Sequence, residues 1–294
     1  ASFDPSTGKT ACFFDFVAQL QIFPERKRQN VMGSFDVRLG ANHTLFGDVL
    51  LSKNDSTGII APVPGSVSIP LTSPLYAQYL TPVSGIGGST FTQDTVAFYR
   101  VADLGRRADE NKSTFKSFVL GVKGAFGNLD YEAGLSASEN DFKNNISVYP
   151  GALALSNLRT SGLLDPFVGV GEQPQATLDA IRGIVYNGYW DGGTAKLSGL
   201  DARVSTPLMN LSGGPLALAA GANVYNEKFQ GKPSLFAQAK LADPVAGTLC
   251  DPNSSDPALV ECDQRFGDSA AIIPYSADRR VWGAFAEVNA PLTK

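Results

Sequence analysis

The feature that most constrains this chain is the spacing of its alternating segments. Seven stretches carry apolar residues at every second position: 30–39, 44–54, 115–126, 129–139, 200–208, 216–227 and 280–290. That period belongs to a β-strand with one apolar and one polar face. In 129–139, for example, Leu129, Tyr131, Ala133, Leu135 and Ala137 share one face, and Asp130, Glu132, Ser136 and Ser138 share the other. The turns at 40–43, 127–128 and 209–214 are short, whereas the connections at about 55–114, 140–193 and 228–279 run to dozens of residues. If consecutive strands pair antiparallel, every short turn falls at one end and every long connection at the other.

Short turns at one end, long loops at the other and strands of one apolar and one polar face are the pattern of an outer-membrane barrel. The polar face carries Asp36, Arg38, Asp48, Lys123, Asp130, Glu132, Asp201, Arg203, Glu227 and Glu287, charges that are costly against lipid and suited to a wet lumen. A soluble β-sandwich also alternates, but it does not place all its long loops at one end. The expected fold is all-β: an antiparallel up-and-down transmembrane β-barrel segment of about seven strands, with long extracellular loops. Residues 1–294 are read as one partial barrel domain. One short loop helix is expected at 174–187. The extended segment 94–104 is expected to form an outer hairpin with 113–117, turning at 106–111.

Composition narrows the function. Lys and Arg number 24 against 28 Asp and Glu, a net charge of −4, which argues against a nucleic-acid partner because phosphates demand a basic face. The one histidine, His43, excludes a multi-histidine metal site and leaves little for triad chemistry; it is read as a solvated turn residue. No acid–base constellation stands out, so no enzyme activity and no cofactor are expected. Thr7-Gly-Lys-Thr10 lacks the first glycine and preceding strand of a phosphate loop. Asp251–Asp256 lacks the glycine of a calcium loop.

Cys250 and Cys262 bracket a polar segment with two prolines. A disulfide between them would staple a loop of about a dozen residues, worth ~3 kcal/mol in the chain-entropy account, and implies an oxidising compartment. Cys12 is left over, and both termini look cut, so the chain is read as a piece of a larger protein.

Phe23-Pro-Glu-Arg-Lys-Arg-Gln-Asn-Val-Met-Gly33, followed by Gly40-Ala-Asn-His-Thr-Leu-Phe-Gly47, resembles the barrel of TonB-dependent outer-membrane receptors. Tyr99–Asp109, Ser161–Phe167 with Leu178–Arg182, Gly213–Ala222 and Arg280–Leu292 are similar to later parts of that barrel, in the same order. The resemblance implies active uptake of a scarce substrate such as a ferric siderophore across the bacterial outer membrane. It implies membrane lipid and lipopolysaccharide as surroundings, and the TonB–ExbB–ExbD machinery as energy source. A plug domain and the remaining strands of a barrel of about 22 would complete the protein; neither they nor a TonB box are present in this chain. Cys12 resembles the second cysteine of a pair whose first would lie upstream. A passive porin-like channel and a soluble secreted β-rich binding module are the alternatives.

Arg106, Arg107, Arg159 and Lys232 fall in expected outer loops and are candidates to meet an anionic ligand, such as a ferric chelate or lipopolysaccharide phosphates. Tyr99, Tyr149, Tyr186, Tyr189 and Trp190 are candidates to stack on a ligand or to anchor at a membrane interface.

Overall fold

The computed structural model describes residues 14–86, 90–238, 263–267 and 271–293, with the backbone of short strands at 2–4, 9–11, 242–243 and 247–248. The strands in chain order are β1 (Ser2–Asp4), β2 (Lys9–Ala11), β3 (Glu25–Arg38), β4 (His43–Ile60), β5 (Pro64–Ile69), β6 (Thr95–Arg100), β7 (Arg107–Phe126), β8 (Leu129–Pro150), β9 (Val185–Leu211), β10 (Gly214–Gly231), β11 (Ala242–Asp243), β12 (Gly247–Thr248) and β13 (Tyr275–Asn289). The helices are α1 (Ala152–Thr160), α2 (Gln175–Gly183) and the single turn α3 (Leu235–Gln238).

All seven expected strands are present. They form one antiparallel sheet in the order β13-β10-β9-β8-β7-β4-β3. The sheet is open, with β3 and β13 at its two edges. The strands run 14 to 27 residues, longer than the ten expected. Their far ends carry polar residues on both faces, which erases the alternation, while the backbone ladder continues. There the cross-strand contacts are polar: Asn144 donates to Asn111 (2.9 Å), Ser113 donates to Asn140 (2.8 Å), and Lys196 meets Glu139 (2.8 Å).

Cross-strand partners share a face, so the register maps each face residue by residue. The apolar face holds a continuous band. It spans 31–39 on β3 and the following turn, 118–126 on β7, 129–137 on β8, 216–224 on β10, and 282–290 on and just past β13. Its upper border falls after Val31 and Leu51, then after Phe118 and Ala137, then after Leu200, Val224 and Trp282. Leu51 is already paired with Lys116, and Ala137 with Ser198. The border therefore drops by one cross-strand pair between β4 and β7, and by another between β8 and β9. The short turns step in the same direction: β7 runs two residues past the partner of His43, and β9 runs on to Leu211 past the row of Leu129. Four residues of about 3.4 Å over six strand spacings of about 4.8 Å incline the strands roughly 25° to the band. Nine residues per strand then give a band about 25 Å tall.

Nothing in the described protein covers this band. Val31 is 64% exposed, Leu135 57%, Leu208 56% and Trp282 76%. The buried apolar residues lie instead among the long connections. Val63, Val67, Ile69, Tyr76, Leu80, Val101, Leu155, Leu158, Leu164 and Ile181 form one cluster, and Ile146, Tyr149, Trp190, Phe236 and Ala237 another. We call this region the cap.

Three expectations are corrected in the cap. Residues 95–100 pair with 64–69, not with 113–117, which belongs to the continuous strand β7. The expected helix at 174–187 is α2, which ends at Gly183 because Val185 opens β9. It is not the lone loop helix, since α1 is just as long. The start of α1 was not readable locally: Gly151 offers no capping side chain. The cap comes from 110 residues away, where the buried Asp263 carboxylate accepts from Leu153 N (2.7 Å) and Ala154 N (2.9 Å). Segment 263–267 also bonds along the chain before α1, through Ala152 N to Gln264 O (2.6 Å) and Phe266 N to Pro150 O (2.9 Å). It acts as a clip across the cap.

Asp263→Ala removes an anionic cap from two otherwise orphaned donors and should cost the cap about 1–2 kcal/mol. Urea unfolding followed by Trp190 fluorescence should show the lower midpoint; an unchanged midpoint would refute the capping role.

Candidate functional site

The polar face of the sheet carries a row of charges. Asp36 meets Lys123 (3.1 Å), Glu132 meets Arg203 (2.7 Å), and Glu227 meets Arg279. Lys123 also lies over the Phe46 ring (5.2 Å). A shallow pocket beside these pairs is lined by Asp130, Glu132, Arg203, Ser205, Phe285 and Glu287. The network is ionic and open to solvent, and it suits hydrogen bonding to another polar surface.

At the cap end of the same face the chain assembles a denser group. The Arg107 guanidinium lies over the Tyr149 ring (5.2 Å) and donates through Nε to Ala61 O (3.0 Å). Arg265 lies over Tyr149 (5.1 Å) and over Trp190 (4.4 Å). Tyr149 donates to Asp109 (2.8 Å), and Asp109 faces Arg265 at 3.9 Å. Arg100 donates to Pro62 O (2.7 Å) and lies over Phe16 (5.0 Å). Three arginines and one carboxylate thus meet around aromatic rings.

Simple alternation would not bring these aromatics together. The polar-face positions of β8 are even-numbered and those of β9 are odd-numbered. Tyr149 and Trp190 break that parity. The β8–β9 register shifts between Asn144 and Asn145 and again between Ile146 and Tyr149, with Trp190 the extra residue opposite the first shift. Val148 takes a φ of 61° in the second. A bulge re-aims the side chain that follows it, and a β-branched residue in the left-handed region is a strained exception. Asn187 holds that strain in place by accepting from Val148 N (2.8 Å).

Of the residues expected to meet a ligand, Arg107, Tyr149 and Trp190 are gathered here. Arg106 is exposed just before β7. Arg159 lies on α1, its side chain against Gly65, so the structure does not bring either into the group. Cys250 and Cys262 lie outside the described residues, as does Cys12. Tyr99 belongs to a separate lock within the cap, donating to Asp103 (3.4 Å) and accepting from Gln173 (3.3 Å). Tyr186 stacks on Phe236 (4.4 Å), and Tyr189 donates to Lys232 O. His43 is not a bare turn residue: it opens β4 and packs on Phe126 (4.7 Å) with Nδ1 3.0 Å from the Tyr131 hydroxyl. Sequence reasoning missed Arg265, Asp109 and Asp263. Arg265 sits in a segment with no periodicity, so nothing local marks it.

The electrostatics follow from the packing. Burial lowers the Arg107 pKa, and the like charges of Arg100 and Arg265 lower it further against the opposing pull of Tyr149 and Asp109. Burial, then the Asp109 hydrogen bond and charge, push the Tyr149 hydroxyl up to about 12. Crowded guanidiniums flanked by aromatic faces are suited to an anionic, planar ligand group. Among the described residues no cluster of His, Cys, Asp and Glu could hold a metal ion.

The protonated Tyr149 is favoured by folding, so its contribution is complete below the ordinary tyrosine pKa near 10 and is lost as pH rises through about 12. Absorbance titration at alkaline pH should show a phase near 12 that Tyr149→Phe reduces; a titration unaltered by the substitution would contradict the Asp109 contact. No protein-family model matches the chain, and no curated protein or solved structure matches it.

Proposed function

We propose that this chain is part of the wall of an outer-membrane β-barrel transporter of the TonB-dependent kind, and that the barrel takes up a scarce substrate such as a ferric siderophore. The observation that carries the reading is the oblique apolar band. Its height of about 25 Å is that of the apolar band of a barrel crossing an outer membrane, and its strands are inclined to it by roughly 25°, less than the roughly 35–45° of such barrels. Its exposure is unfavourable in water and favourable in lipid. Backbone groups at a lipid-facing edge must be paired, so further strands beyond β3 and β13 close the barrel. The polar face then lines the lumen, where its ionic rows bond a plug. The cap stands outside the membrane, and the Arg107–Tyr149–Arg265–Trp190 group faces incoming ligand. The chemistry is binding and gated passage, with no covalent step.

The chain supplies its own probes, because its two tryptophans lie in different environments: Trp282 in the band, 76% exposed, and Trp190 in the cap, 4% exposed. Reconstituted in vesicles of brominated phosphatidylcholine, the protein should lose most of its Trp282 emission, and Trp282→Phe should abolish the quenched component. Emission untouched by brominated lipid would refute the membrane reading. Leu135→Arg in the band should cost about 2–4 kcal/mol in lipid, and Ser136→Arg on the opposite face far less; equal costs would argue for a sheet covered by protein. Uptake of a ferric chelate that survives a protonophore would favour the passive channel.

A further inference from the structure

The two irregularities between β8 and β9 cancel each other. On one side of them Asn144 pairs with Asp191, and on the other Tyr149 pairs with Tyr186, in the same register that runs on to Asp130 and Ser205. Only between them is the ladder displaced by one residue, with Asn145 opposite Tyr189 and Ile146 opposite Gly188. Trp190 is the extra residue on β9. On β8, Ser147 and Val148 together stand opposite Asn187. One surplus residue on each strand leaves the ends of the segment where an unbroken ladder would leave them. A pairing of Asn145 with Trp190, Ile146 with Tyr189, Ser147 with Gly188 and Val148 with Asn187 therefore joins the same ends, and no β8–β9 pair outside the segment has to shift.

The bulged arrangement is the costly one for the backbone. Val148, at φ 61°, is the one non-glycine residue with positive φ among the described residues, and a β-branched side chain is poorly suited to that region. In an unbroken ladder it would take the extended conformation that such residues favour. Side-chain contacts made only through the bulges offset the cost. Tyr149 reaches the polar face, donates to Asp109 (2.8 Å) and lies against the guanidiniums of Arg107 (5.2 Å) and Arg265 (5.1 Å). Trp190 reaches the same group, against Arg265 (4.4 Å) and edge-on to Phe236 (5.7 Å). Both rings are nearly buried there, at 5% and 4% exposure. Arg265 touches both rings, yet it comes from neither strand: it arrives on the 263–267 clip. Unbroken pairing would restore the period of two and turn both rings to the opposite face.

We propose that the cap end of β8–β9 is a two-state register switch, bulged while Arg265 is seated against Tyr149 and Trp190 and unbroken once the clip withdraws. The two registers share every β8–β9 pair outside the segment, so the change is local and discrete, as a bistable element requires. It takes both aromatics off the polar face in one step and leaves Arg107 and Asp109 without the ring that joins them. The backbone strain at Val148 drives the change, and the seated guanidinium opposes it. The inference concerns the cap alone and does not depend on what covers the sheet.

Trp190 reports the register, because Trp282→Phe leaves it the one tryptophan in the chain. The quantity to measure in that folded protein is the ratio of acrylamide-quenchable to protected Trp190 emission. Arg265→Gln should raise the ratio about tenfold by removing two cation–aromatic contacts from the bulged state. Adding Val148→Gly to Arg265→Gln should return it to near the starting value. Glycine accepts φ 61° without the penalty of a Cβ and also weakens the unbroken strand. Asn187→Ala, which removes the acceptor for Val148 N, should raise the ratio in the same sense as Arg265→Gln. Amide exchange in 129–139 should be the same in all these proteins. Trp190 emission that stays protected in Arg265→Gln overturns the inference. So does a failure of Val148→Gly to restore protection, since the rings would then be a packing site with no second register. Faster exchange in 129–139 on losing Arg265 overturns it as well, because both registers leave that ladder intact.

Discussion

The structure depends on register. Side chains alternate with a period of two, so a slip of one residue in any strand would carry its apolar set to the opposite face. The short turns, with Gly40 and Gly127 in the left-handed region, set the pairing of β3 with β4 and of β7 with β8. A second device repeats within the sheet. Phe35, Phe46, Tyr225, Phe285 and Tyr275 each stand directly opposite a glycine, at 47, 121, 199, 221 and 231 respectively, and each ring occupies the space where a Cβ would project. Such a pair fits only in register, because a slip would drive the ring into a neighbour's side chain. It also restores the contact area that a glycine forfeits within a strand.

With register fixed, the two parts of the molecule follow different rules. The sheet between the turns and the long connections contributes no buried apolar side chain among the described residues; its cohesion is the backbone ladder, and the described protein covers neither its apolar nor its polar face. The cap builds its own core from the loops, with α1, α2 and the β5–β6 hairpin around Val67, Leu155 and Ile181. Part of its polar interior is closed by paired groups, although the buried Tyr76 hydroxyl has no hydrogen-bond partner among the described residues. Gln173 bonds Tyr99 and Asp165, and Tyr79 donates to Asp165 (3.1 Å). Burial and the Asp103 charge hold the Tyr99 hydroxyl up at about 12.

The sheet was legible from sequence because its signal is local: alternation names a strand and its face, and a short connection names its neighbour. The upper halves of the strands were not legible, since Asn, Ser, Asp and Lys occupy both faces there and only the partner strand reveals the ladder. The β5–β6 hairpin was missed because its partners are about 30 residues apart and 94–104 looked equally able to join 113–117. The helix α1 was missed because its capping group is supplied by Asp263. The site was legible in half. Arg107, Tyr149 and Trp190 carry the residue types that meet anions and rings, but the bulges that turn the two aromatics onto one face depend on β8–β9 register.

Arg265 links these parts. It sits one residue from Gln264 and two from Asp263, within the clip whose carboxylate caps α1 and whose backbone bonds Ala152 and Pro150. Its guanidinium reaches the rings of Tyr149 and Trp190 at the ends of two wall strands. A ligand that draws the guanidinium away from these rings must also pull on the clip, and so on the start of α1 and the loop core behind it. The strained Val148 beside Tyr149 places the least relaxed backbone of the described chain at that same junction. The aromatic–guanidinium group and the start of α1 therefore share one short segment, while the sheet below, locked by its glycine–aromatic pairs, has no comparable link to the cap.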